Sequence, residues 1–133
     1  MQAVRAKPGV DSKHTYLYPE VGFSRTRFRP TIPSQDGYFW TGTYTARPGK
    51  RGQVLRHLAQ FADEIVDMEP ETLSYLVLVP RDERDQDTLY LWEEYTSEAA
   101  LRDVHMKSKV AMGLKDAIGP LLEHREMAAF TEI

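Results

Sequence analysis

The pattern of apolar and polar positions changes character near residue 38. Residues 1–37 carry Tyr16, Tyr18, Phe23 and Phe28 without any sustained strand or helix period. Pro8, Pro19, Pro30 and Pro33 interrupt regular structure there. The stretch reads as an extended N-terminal arm. Its aromatic residues predict that it packs on its own domain or on a neighbouring subunit, or that it lies over a ligand pocket as a lid.

From Tyr38 the signals are regular. GYFWTGTYTA is rich in aromatic and Thr residues and ends at the turn Arg47-Pro48-Gly49, which predicts a strand. Val54, Leu58, Phe61, Ile65 and Met68 then recur at helical spacing, and Pro70 closes that helix. TLSYLVLV and TLYLWEEYT predict two strands joined by the charged hairpin loop PRDERDQD. Ser97 is placed to cap a second helix running to about Ile118, with Gly113 and Gly119-Pro120 marking a break or an end. REMAAFTEI predicts a final strand.

The order is β-α-β-β-α-β, an α+β, ferredoxin-like antiparallel sheet with both helices on one face. A half-solvated sheet should alternate apolar with polar residues. Here Leu73, Tyr75, Val77 and Val79 fall on one face, and Leu76 and Leu78 on the other; Leu89 and Leu91 oppose Tyr90 and Trp92 in the same way. A sheet apolar on both faces needs a second cover, and a second copy of the chain about a two-fold axis is the simplest one.

The 133 residues match the size of one domain, and a charged fraction of 28% is ordinary for a globular protein. A net charge of -3, with both signs interspersed, argues against nucleic-acid and anionic-membrane partners. With no cysteine there is no disulfide framework, thiolate metal site or Cys nucleophile. No apolar run approaches the roughly 20 residues that span a bilayer. MQAVRAKPGV lacks the apolar stretch of a secretory signal, so a cytoplasmic setting is expected.

Four landmarks carry a family resemblance. Arg47-Pro48-Gly49-Lys50 matches an xPGK turn, and Glu69-Pro70-Glu71-Thr72-Leu73-Ser74-Tyr75 matches EPGTLxY with Glu71 in place of Gly. Trp92-Glu93-Glu94-Tyr95 through Ala99-Ala100-Leu101 matches YExWxxxxAL, and Asp103-Val104-His105-Met106-Lys107-Ser108 matches xxHxxS. In this order they make residues 38–133 resemble the antibiotic biosynthesis monooxygenase (ABM) domain, with residues 1–37 outside the likeness. The resemblance implies a dimeric α+β barrel. It also implies one of several activities: cofactor-free oxygenation of polyketide anthrones and phenols, quinol oxygenation, haem degradation, or reactions of small carbonyls. The haem-degrading branch uses a first-strand Asn and a ligating His on the second helix. Gly42 and Met112 to Lys115 stand near those positions, which disfavours haem. No cofactor and no metal are expected.

Strand alternation puts Leu91, Glu93 and Tyr95 on one face, while Leu101, His105, Ser108 and Met112 form a helical stripe. Packing that stripe on the sheet would aim His105 at Glu93. A carboxylate beside an imidazole fixes its tautomer and makes it a better general base, and the pair equally closes a helix onto a strand as a polar core contact. His105 and Glu93 are the catalytic candidates. Trp40 and Tyr44 flank Gly42, which would leave a gap for a ligand ring; with Tyr95 and Met112 they are the substrate-binding candidates. His14, His57 and His124 lack metal-ligand spacing and read as surface residues in the arm, on a helix and in a loop. The residues point to base-assisted deprotonation in an apolar pocket, and the resemblance implies an aromatic polyketide-type substrate and its oxygenation. Non-oxidative cyclisation, isomerisation, dehydration or decarboxylation in the same pocket, and non-catalytic binding, are the alternatives.

Overall fold

The computed structural model describes residues 15–25 and 37–131. The chain runs β1 (Thr15–Ser24), β2 (Tyr38–Ala46), α1 (Arg51–Met68), β3 (Thr72–Pro80), β4 (Thr88–Tyr95), a π-helical turn (Ala100–His105), α2 (Lys109–Ile118), a 3-10 turn (Gly119–Leu121) and β5 (Leu122–Thr131). The five strands form one antiparallel sheet in the order β1-β3-β4-β2-β5. Strands β2 to β5 with the helices are the ferredoxin-like unit.

α1 forms where its apolar spacing requires it. Val54, Leu58, Phe61 and Ile65 are buried against Tyr44, Ala46, Tyr75, Val77, Leu89 and Leu91 of the sheet. Each such side chain contributes about 1.5–3 kcal/mol by leaving water. Truncating the fully buried Leu58 to Ala would cost about 2–5 kcal/mol. Pro70 disfavours helical geometry at the residue before it, and Glu69 leaves the helix at φ -127°, ψ 78°.

The arm and the second helix differ from the sequence reading. Thr15–Ser24 of the arm is the edge strand β1, paired with β3 on either side of an irregularity between Leu17 and Gly22. Gly22 sits at φ 102°, where a Cβ would collide with the Tyr75 carbonyl, so only glycine fits this crossing. The rest of the arm, with His14 and Phe28, lies outside the described residues. The second helix is not continuous. The Met106 N–H bonds Leu101 O at 2.9 Å, closing a π turn. Ser108 then turns extended, and its Oγ accepts the Ala111 N–H at 3.0 Å as the N-cap of α2. The break therefore falls before Gly113, while the end at Ile118 and Gly119 agrees with the sequence. β5 begins at Leu122, so His124 is a strand residue, exposed and 3.0 Å from Glu126.

The sheet face away from the helices carries Phe39, Leu76, Leu78 and Tyr90, all partly buried, with Trp92 and Phe130 40% and 55% exposed. Phe39 and Trp92 rings stand 5.5 Å apart.

Candidate active site

Register builds the site. On the helix-facing side, β4 places Glu93 between Tyr75 of β3 and Trp40 of β2. The π turn brings His105 down onto this spot, and Glu93 and His105 are both buried. His105 Nε2 stands 3.6 Å from Glu93 Oε1, an ion-pair separation too long for a hydrogen bond. Its Nδ1 lies 2.7 Å from Oε1 of Glu69, the residue that ends α1. The Thr72 hydroxyl donates to the same Glu69 oxygen at 2.8 Å, and Tyr95 OH donates to Glu93 Oε1 at 2.5 Å. His105 thus sits between two buried carboxyl groups, each held by a hydroxyl. The rings of Phe61 and Tyr95 meet its imidazole edge-on at 5.3 Å.

Burial sets the electrostatics. The Glu93 carboxyl is pushed above the ordinary carboxylate range, first by desolvation, against the pull of His105 and the Tyr95 hydroxyl. Burial, then Glu93, pushes the Tyr44 hydroxyl up to about 12. Tyr75 and Tyr95 are raised by the same two causes in the same order. All three phenols are hydrogen-bond donors at neutral pH.

A cavity of about 200 Å³ opens beside this floor. Trp40, Tyr44, Phe61 and Tyr75 wall it, and Met112, Lys115, Arg125 and Met127 reach it from α2 and β5. The buried Trp40 Nε1 has no hydrogen-bond partner among the described residues, and neither does Glu69 Oε2. Among the described residues, no group of three His, Cys, Asp or Glu side chains is arranged to hold a metal ion.

Five of the seven sequence candidates meet at this cavity: His105, Glu93, Trp40, Tyr44 and Met112. Two are placed differently. The space over Gly42 is not open to a ring, because the Met127 thioether of β5 fills it. Tyr95 is fully buried behind the wall with Tyr38, Ala100 and Leu101, reaching Glu93 through its hydroxyl and His105 through its ring.

A family model described as antibiotic biosynthesis monooxygenase (ABM) matches residues 38–111, more than half of the sequence. The chain belongs to the ABM family. Its fold is similar to a candidate monooxygenase from Lactobacillus acidophilus NCFM: TM-score 0.70 at 12% identity, covering 85% of this chain and 49% of that one. The chain therefore spans about half the length of that relative. A candidate ABM protein from Chloroflexus aurantiacus gives TM-score 0.62 at 21% identity, covering 74% of this chain and 94% of that one. Rv0793 from Mycobacterium tuberculosis gives 0.63 at 21% identity, covering 74% and 96%. No curated protein matches the chain in sequence.

Within this ABM domain, sequence reasoning missed Glu69 and Tyr75, and also Lys115, Arg125 and Met127 of the cavity lining. For Glu69 a signal existed. The α1 stripe steps by four from Ile65 to residue 69 as readily as by three to Met68, and the exposed one is Met68. An acid continuing an apolar stripe marks a buried carboxyl.

Proposed function

We propose that this protein is a monooxygenase-like tailoring enzyme that deprotonates a small aromatic substrate and lets the resulting anion react with dioxygen without a bound cofactor. The substrate class is a polyketide-type phenol, quinol or anthrone. The observation that carries the reading is His105, clamped through Nδ1 by Glu69 and facing an aromatic cavity with Nε2. With its Nδ1 hydrogen donated to Glu69, the Nε2 lone pair is left to accept a substrate proton. Trp40, Tyr44 and Tyr75 would hold the ring. The volume lies below the ~300–1,000 Å³ of drug-sized pockets, which favours a compact phenol or quinol over a tricyclic anthrone.

The chemistry balances without another reductant. The substrate anion supplies the electrons, one atom of O2 enters the ring, and the other leaves as water with two substrate hydrogens. A quinol would thus become a hydroxyquinone. The test is oxygen uptake with a naphthohydroquinone above its rate without protein. Hydroxyquinone forming with O2 consumption supports the reading, and a rate equal to the protein-free control opposes it.

One observation favours a second reading. Glu93, disposed by burial to keep its proton, stands beside His105, and an acid next to a base suits isomerisation or dehydration. Product forming at the same rate under anaerobic conditions would select it. The open cavity supports both catalytic readings over a binder with a filled core.

The working unit we propose is a homodimer. The exposed Trp92 and Phe130 beside Phe39 form an apolar face that a second sheet would cover. No described helix is long and apolar enough to cross a membrane. The absence of cysteine supports a cytoplasmic setting.

A further inference from the structure

The cavity is polarised along its depth. Its floor holds Glu93 and His105, with Glu69 behind them, and its walls are aromatic. Its rim carries two cations from different elements. Arg125 of β5 pairs across the sheet with Tyr44 and lies on the same face, so its guanidinium borders the cavity and acts electrostatically on both Tyr44 and Glu93. Lys115 of α2 lines the cavity as well, and shares the adjoining surface depression with Arg125. Asp116 and Glu123 line the adjoining surface depression, yet neither Arg125 nor Lys115 forms an ion pair among the described residues.

We propose that the substrate carries an anionic substituent, such as a ring carboxylate, which Arg125 and Lys115 bind at the mouth while the ring enters between Trp40 and Tyr44. This deepens the ligand-site reading above and rests on it. The polarity permits one orientation. A carboxylate pointed at the floor would meet two buried carboxyl groups, whereas at the rim it meets two cations that form no ion pair among the described residues. Arg can take a carboxylate through two parallel N–H donors, and Lys adds a point charge. The ionisable ring hydroxyl or activated C–H then lies at the far end, toward His105 Nε2.

A matched pair of probes tests this. 6-Hydroxy-2-naphthoate, whose hydroxyl and carboxylate stand at opposite ends of the ring system, and its methyl ester would be titrated by calorimetry into the wild-type protein, Arg125→Gln, Lys115→Gln and the double variant. The acid should bind wild type about tenfold or more tightly than the ester, as for a charge-assisted contact, and lose that advantage as salt is added. The double variant should bind the two probes about equally at the wild-type ester affinity. Equal binding of acid and ester to wild type would overturn the proposal while leaving the ligand site intact. Equal loss of both probes in the variants would overturn it too, because the cations would then be supporting the fold. Failure of both probes to bind wild type would sink the ligand-site reading along with it.

Discussion

His105 and Glu69 are joined by a 2.7 Å contact between Nδ1 and Oε1, although 36 positions separate them in the chain. The bond ties the end of α1 to the π turn after β4. It turns the imidazole so that Nε2 faces Glu93 and the cavity. Removing it should cost both stability and turnover. Glu69→Ala leaves His105 Nδ1 and the Thr72 hydroxyl without their acceptor, at about 1–3 kcal/mol for each buried group. Urea unfolding should show that loss, with Glu69→Gln retaining part of it, and both variants should lower kcat more than they raise KM.

Glu93 gives a pH-dependent stability of defined sign. Its carboxyl is raised in the folded protein, chiefly by burial, so the folded state holds a proton that the unfolded chain has released. Its contribution therefore falls as pH rises from the ordinary carboxylate range through the raised folded value. Glu93→Gln has no charge to desolvate. The Tm of Glu93→Gln relative to wild type should climb with pH across that window and level off above it; a constant difference would contradict the assignment.

Gly42 tests how the cavity wall is made. A Cβ there would collide with the Met127 thioether and crowd Glu126 O at 3.3 Å. Gly42→Ala should displace Met127 into the cavity and weaken ring-shaped ligands about tenfold or more, at a modest stability cost of about 1–3 kcal/mol. Calorimetry with a naphthol, beside thermal melts, reads both effects.

The legible part of the site followed from periodicity. Strict alternation along β4 places Glu93 on the helix side, and the Leu101-to-His105 step of four aims His105 at it. Three features were hidden for physical reasons. Glu69 stands between Met68, where α1 ends, and Pro70, and the apolar Met68 takes its place in the stripe at helical spacing. Ser108 fits the helical spacing of its neighbours, but its hydroxyl caps α2, and the preceding residues close a π turn that repetition at helical spacing does not distinguish from α-helix. β1 escaped because four residues, Pro19 among them, lie between its two paired stretches and destroy its alternation. Both-faced apolarity of β3 and β4 was legible, and it is what leaves Trp92 exposed on the far side.

That far face carries the oligomer prediction. Trp92→Glu would put a charge on the apolar patch beside Phe39 without touching the helix-side core. Analytical ultracentrifugation should show wild type as a dimer and Trp92→Glu shifted toward monomer, with the monomer still folded by circular dichroism. A monomeric wild type would remove the proposed pairing of sheets.

The most direct test of the central claim is single-turnover conversion of a bound quinol by His105→Ala, with ligand affinity measured on the same protein. The geometry predicts affinity within a few-fold of wild type and a chemical step slowed about 10²–10⁴-fold, as expected when a positioned general base is removed. A variant that binds the quinol and converts it at the wild-type rate would show that His105 is a polar strut of the fold and that the proton leaves by another route.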